Sequence, residues 1–316
     1  MNLVFDAETV WLLAGILGVL LLASIIGLIL SRRKGSPGYE ATISNLNART
    51  RAWWIMFAIF LGALLAGRNG AVILFGILSF LGLREFITLT PTRPGDHRTL
   101  FWLFFVITPV QYWLIASGRY GLFVVFIPVY AFLFIPLRSA LSGDCEHFLE
   151  RTAKIQWALM VCVYCVSHAP ALLFLSIPGY EGQNAKLLLY LITVVQLSDV
   201  FQYVWGKTLG RHRLAPHVSP NKTWEGLIGG VVTATALGTA LWWATPFSPW
   251  QSAGMSLVIT VLGFVGGLVM SAIKRDRGIK DYGNLIEGHG GVMDRIDSIC
   301  FSAPMFFHLT RYFFSP

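Results

Sequence analysis

Apolar runs of about 15 to 22 residues recur from one end of this chain to the other, each long enough to cross a bilayer as a helix. Charge is confined to short clusters between them. Only 13% of the 316 residues are charged and mean hydropathy is +0.64, whereas a water-soluble domain carries about 25% charged residues. The pattern predicts an all-α, polytopic integral membrane protein with about ten transmembrane helices. The expected spans are 10–30, 53–66, 70–87, 100–116, 121–137, 155–176, 187–205, 226–245, 252–273 and 296–314. The second and third should form a tight pair around Gly67-Arg68-Asn69-Gly70. Asp6 and Glu8 precede the first run where a cleaved signal would carry positive charge, so that run reads as a retained helix.

The basic residues orient the bundle. All but four of the 24 Lys and Arg fall in alternate loops, leaving Arg68, Arg119, Lys186 and Arg311 for the other side. Positive charge accumulates in the cytoplasm, which predicts both termini outside. The net charge of +8 therefore belongs to one face. Its plain use, especially in the loop 31–52, is topology and attraction to anionic headgroups. No basic stripe lies on a soluble domain, so nucleic acid is not an expected partner.

Two regions differ in chemistry. Residues 1–180 hold apolar helices and short loops. There Arg84-Glu85 reads as an anchoring ion pair at the membrane face, and His168 as satisfied by a carbonyl freed at Pro170. Cys162 and Cys165 form a CxxC inside an apolar span without a second pair, which reads as buried small hydrophobes rather than zinc ligands. Residues 181–316 carry two polar cytoplasmic loops, 206–225 and 274–295, and read as the catalytic region. Gly226/Gly230 and Gly263/Gly267 have the spacing of close helix packing, which would draw these loops together.

Asp199 lies in the seventh span, with Gln196 and Gln202 one turn away on either side. A carboxylate at that depth costs roughly 2.5–3.5 kcal/mol, so it should face a cavity, a metal or a cation. Further on, Ser219 and Pro220 have the form of an N-cap and first helical residue, which would put Lys222 and Thr223 in the first turn of an anion-binding helix end. The segment Ser271–Asp297, SAIKRDRGIKDYGNLIEGHGGVMDRID, is the densest in charge. Lys274, Arg275, Arg277 and Lys280 could neutralise a triphosphate. His289-Gly290-Gly291 offers a tight turn, and Asp294 and Asp297 share a helical face. Carboxylate oxygens of this kind suit Mg2+, which takes one or two protein carboxylates plus phosphate oxygens.

This segment closely resembles the signature of the phosphatidate cytidylyltransferases (CDP-diacylglycerol synthases), and SDVFQYVWGKTLGRHRLAPHVSPNKTWEG (198–226) is similar to that family's second shared region. Together they cover the C-terminal third. The resemblance implies metal binding by Asp294 and Asp297, with Asp199 a further candidate. It implies phosphate contacts from Ser219, Lys222, Thr223, Lys274, Arg275 and Arg295, and catalytic parts for Lys280, Asp281 and His289. It implies Mg2+ as cofactor, with a second monovalent or divalent cation as an open alternative, and a homodimer as assembly. Two positions depart from the family pattern. Gly267 stands where many bacterial members have a metal-binding aspartate, and Glu287 stands where Pro or Gly is usual. Asp199, Asp281 or Glu287 are the candidates to replace the missing ligand.

The reaction implied joins CTP to phosphatidate in the membrane, giving CDP-diacylglycerol and pyrophosphate on the cytoplasmic face. The alternatives are a cytidylyltransferase for another lipid phosphate, a CTP-dependent lipid kinase, and a non-catalytic scaffold or transporter with Asp199 along a permeation path.

Overall fold

The computed structural model describes residues 6–32, 37–285 and 290–315. Ten helices account for almost all of it: α1 (Ala7–Ser31), α2 (Pro37–Leu65), α3 (Gly67–Thr88), α4 (Pro94–Ala116), α5 (Tyr120–Ala140), α6 (Phe148–Phe174), α7 (Ala185–Leu209), α8 (Trp224–Ala240), α9 (Pro249–Asp276) and α10 (Met293–Phe314). A hairpin of β1 (Arg213–Ala215) and β2 (Ser219–Thr223), paired antiparallel, is the one sheet among the described residues. Helices dominate because backbone N–H and C=O groups in lipid must satisfy each other within the segment. Among the described residues, eight helices are long and apolar enough to cross a membrane, which makes this an integral membrane protein. Of the other two, α8 has only 17 residues. Helix α10 carries Asp294, Arg295 and Asp297 in its first turns and Arg311 in its last.

Every expected span has a helix, but several boundaries move. The expected loop 31–52 is helical from Pro37 onward and continuous with the second span. Nothing between Tyr39 and Phe60 breaks a helix, so the basic residues Arg49 and Arg51 ride on an extension of α2. Helix α3 follows α2 after the single residue Ala66, with Gly67 at φ +83°, the positive value that a reversal this short requires. Helices α4, α5 and α6 each contain a π-helical segment, at Leu103–Ile107, Phe126–Ala131 and Met160–Cys165. Pro128 lies within the second of these segments and Pro109 two residues after the first, where a widened turn absorbs the missing N–H, whereas Pro170 sits in the regular helix that follows the third.

Packing is tightest in the C-terminal half. Gly230 of α8 lies against Gln202 of α7 with no room for a Cβ. On α9 the close contact is made by Gly266, where a Cβ would sit 2.6 Å from the carbonyl of Asp297; Gly263 leaves ordinary space. The small-residue pairing therefore holds for Gly226/Gly230 and is displaced by one helical position on α9. Cys162 is buried with its Sγ 3.6 Å from Met293 Sδ, and Cys165 is a free thiol. His168 bonds the carbonyl of Tyr164 at 2.8 Å. That is the carbonyl one turn before it, whereas Pro170 frees the carbonyl of Val166.

The two ends of α7 have different chemistry. At its start, fully buried Lys186 binds Asp6 Oδ2 at 2.7 Å, Gln183 Oε1 at 2.6 Å and Glu8, tying α1 to α7. Asp199 and the hairpin lie toward its other end. Helix α10 likewise starts beside the hairpin and ends with Arg311 over the Tyr120 ring at 3.6 Å. Both ends of the described chain thus lie at the end of the bundle away from the charged loops.

Candidate active site

Four elements converge on Gly267, near the end of α9. A Cβ at this position would meet Lys222 Nζ at 3.3 Å, Ser298 Oγ at 3.7 Å and Asp297 Oδ2 at 3.8 Å. Lys222 comes from the hairpin, and Asp297 and Ser298 come from α10. Asp199 of α7 joins them because Ser298 Oγ donates to its Oδ2 at 2.9 Å. The same hydroxyl lies 3.4 Å from Asp297 Oδ1, which also accepts the Ser298 amide at 2.7 Å. A hydroxyl has one proton to give. Two carboxylates therefore share it, and their remaining lone pairs stay available for a cation.

Lys222 has no ion-pair partner within 4 Å among the described residues; its ammonium lies 4.5 Å from the centre of the Phe264 ring. Burial pushes its pKa down, against the upward pull of Asp199 and Asp297. An aspartate at 267 would reach this ammonium. With glycine there, no described side chain pairs with the lysine from position 267.

The expected helix start at Ser219 is corrected. Ser219–Thr223 is strand β2, and α8 begins at Trp224 with Thr223 as N-cap, its Oγ1 accepting the Gly226 amide at 3.1 Å. Pro220 sits in the strand, and Lys222 and Thr223 precede the helix. Pairing with β1 occupies this backbone, and β-branched Thr223 takes the extended conformation that an N-cap needs. The base of the hairpin is held by Glu225, which accepts the Arg211 and His212 amides and lies 2.5 Å from His212 Nδ1.

Asp294 faces inward to the loop. Its Oδ1 accepts Lys274 Nζ at 2.8 Å; its Oδ2 accepts the amides of Tyr282 at 2.8 Å and Gly291 at 3.0 Å. Gly290, at φ +86°, has no space for a side chain between Asp294 and Asp281. Arg275 spans the two loops, donating to the carbonyls of Val218 at 3.2 Å and Ile279 at 3.1 Å. The carbonyl of Arg295 receives Gln196 Nε2 at 3.2 Å, and its buried Nε has no hydrogen-bond partner among the described residues. Lys280 and Asp281 are exposed. His289 and Glu287 lie outside the described residues.

The sequence reading missed Glu85. Its carboxylate does not serve chiefly to anchor Arg84 at the membrane face: it accepts the amides of Val292 and Met293, both at 2.9 Å, and so caps α10 from the N-terminal region. Ser298 was also missed. Its only sequence signal was its place directly after Asp297.

A bundle of apolar helices that gathers buried carboxylates and lysines at one end has the character of a membrane enzyme acting on a charged group. Residues 47–313 match the Cytidylyltransferase family, and the chain belongs to it, as a nucleotidyltransferase. It is 39% identical over 305 residues to a protein of Escherichia coli named YnbB and described as uncharacterized, covering 95% of this chain and 97% of that one. It is 29% identical over 268 residues to the phosphatidate cytidylyltransferase of Staphylococcus aureus, covering 82% and 97%. Its identity to the phosphatidate cytidylyltransferase of Mycobacterium leprae is 44% over 169 residues, about half of each chain.

Proposed function

We propose that this enzyme transfers the cytidylyl group of CTP to phosphatidate, releasing pyrophosphate and leaving CDP-diacylglycerol in the membrane. The observation that carries the reading is the meeting of Lys222, which has no ion-pair partner among the described residues, with Asp199, Asp297 and Ser298 around Gly267, at the charged end of the bundle. The basic-loop asymmetry supports a cytoplasmic position for this end, where soluble nucleotide and a lipid headgroup in the inner leaflet can meet.

An anionic phosphate oxygen of the lipid attacks the α-phosphorus of CTP. The bond from that phosphorus to the α–β bridging oxygen breaks, and its electrons leave with pyrophosphate. The nucleophile is already charged at neutral pH, so the chain needs no serine or cysteine nucleophile. Its task is to hold two polyanions together and stabilise charge on the leaving group. Lys222, with no carboxylate within ion-pair distance among the described residues, is placed to take a phosphate oxygen. Lys274 and Arg275 fix the surrounding loops, and exposed Lys280 is available at their rim.

The donor set fits Mg2+. Among the described residues no three His, Cys, Asp or Glu side chains are grouped to hold a metal, but Asp199 and Asp297 supply two carboxylates, and a hard cation completes its shell with phosphate oxygens and water. When bound, the metal would neutralise phosphate charge as a Lewis acid. Among the described residues, Asp199 is the one best placed to supply the carboxylate missing at Gly267. Turnover of purified protein with CTP, phosphatidate and Mg2+ tests the reaction. CDP in place of pyrophosphate would indicate a kinase, and product with a different lipid phosphate would move the acceptor.

A further inference from the structure

We infer that Glu85, in the half of the chain remote in sequence from the charged loops, is a positioning residue for the active site; this rests on the cytidylyltransferase reading above. The last turns of α3 form a cradle for the start of α10. Gly82 admits Met293 and Ile296, whose Sδ and Cδ1 lie 3.4 and 3.3 Å from where a Cβ would be. One turn on, Glu85 caps Val292 and Met293 with both carboxylate oxygens. Next to it Phe86 stacks on Tyr282, with ring centres 6.1 Å apart and an interplanar angle of 18°. These three side-chain positions share one helical face at i, i+3 and i+4.

The cap has two physical parts. The first amides of a helix have no partner inside it, and the positive end of its dipole favours a carboxylate. Both amides belong to buried residues, so without Glu85 they would be unsatisfied. The carboxylate also fills the space of two missing side chains: a Cβ on Gly283 would lie 2.9 Å from Glu85 Oε1, and one on Gly291 would collide with the same carboxylate. Glu85 therefore pins both arms of the loop whose ends Asp294 ties together through Tyr282 and Gly291. Asp297 and Ser298 follow about one turn into the capped helix. Displacement of its first turn moves them relative to Asp199 and Lys222, which sit on other elements.

The cap also determines what α10 can bind. With Val292 and Met293 committed to Glu85 and Gly291 to Asp294, this helix end offers those amides to no phosphate, and anion binding falls to side chains such as Lys222.

The test is Glu85→Ala, Glu85→Gln and Glu85→Asp in full-length protein in detergent. Hydrogen exchange would be read over 281–285 and 290–298, with steady-state turnover against CTP. In Glu85→Ala, exchange at 290–293 should speed up while that of α7 and α9 does not. The kcat should fall about tenfold or more with the KM for CTP within about twofold, because the phosphate contact lies on the hairpin. Glu85→Gln keeps one acceptor and should recover part of both losses; Glu85→Asp is too short and should resemble alanine. Unchanged exchange at 290–293 in Glu85→Ala, or faster exchange with unchanged kcat, would overturn the inference. The exchange measurement needs no turnover. If wild type gave no product while Glu85→Ala still loosened 290–293, the cap would stand and the reaction assignment would fall.

Discussion

Replacement of Asp294 by alanine should abolish turnover by releasing the loop, not by unfolding the bundle. The side chain is almost buried, at 4% exposure, and its Lys274 partner is 12% exposed. Alanine removes a charged bond and two backbone bonds. An orphaned buried donor costs about 1–3 kcal/mol, and breaking a buried ion pair costs about 3–5 kcal/mol. The terms overlap, because Lys274 has a flexible stem and can turn toward water. A net local cost near 4 kcal/mol is the reasonable figure, which is about a thousandfold in the population of the ordered loop. The core of α6, α7 and α10 around Cys162, Leu188 and Phe306 is untouched, so helix content and elution behaviour should be preserved. The assay is CDP-diacylglycerol formation by purified variant and wild type, with hydrogen exchange over 281–285 and 290–294. Asp294→Asn retains one acceptor for the Tyr282 and Gly291 amides and should be intermediate. Near-normal turnover with alanine would refute both the clasp and the place of this loop in the site.

Ser298→Ala removes the bond to Asp199, worth about 1.5–3 kcal/mol for a charged acceptor; it should weaken Mn2+ binding, followed by electron paramagnetic resonance, about tenfold or more. Lys222→Met should raise the KM for CTP at least tenfold without lowering the melting temperature, since the lysine has no ion pair to lose among the described residues. Lys186→Met lies at the far end of the bundle and should cost about 3 kcal/mol of stability, with little change in the KM for CTP. Asp6, in the same tie, has its pKa pushed up by burial but brought below the usual range by Lys186 and Thr9. The stability it contributes should be complete above about pH 4 and lost as pH falls further, which a melting series would show.

Hydropathy and charge carried the fold because each transmembrane helix satisfies its own backbone and shows its length directly in the sequence. The reversal at Gly67 was legible for a similar reason, since the chain must turn between two apolar runs. The site was only partly legible. Asp199, Lys222 and Asp297 were identifiable as buried or clustered charges, and the structure brings them together. What it adds depends on contacts between distant segments. Nothing near Glu85 announces a helix 207 residues away, and no local pattern distinguishes an Asp294 that ties a loop from one that faces a ligand. Ser219-Pro220 fits a helix start as well as a strand, and pairing with β1 decides between them. Basic residues on 37–52 looked like a loop because polarity signals exposure, while helix continuity depends on the absence of breakers.

The most direct measurement is turnover of the full-length protein in detergent with CTP, phosphatidate and Mg2+, reading both products by mass spectrometry, with Asp297→Ala as control. CDP-diacylglycerol and pyrophosphate in equal amounts from wild type, and neither from the variant, is the predicted result. Wild-type protein that binds CTP yet forms no cytidylylated lipid from phosphatidate would contradict the acceptor, and equal turnover by Asp297→Ala would contradict the site.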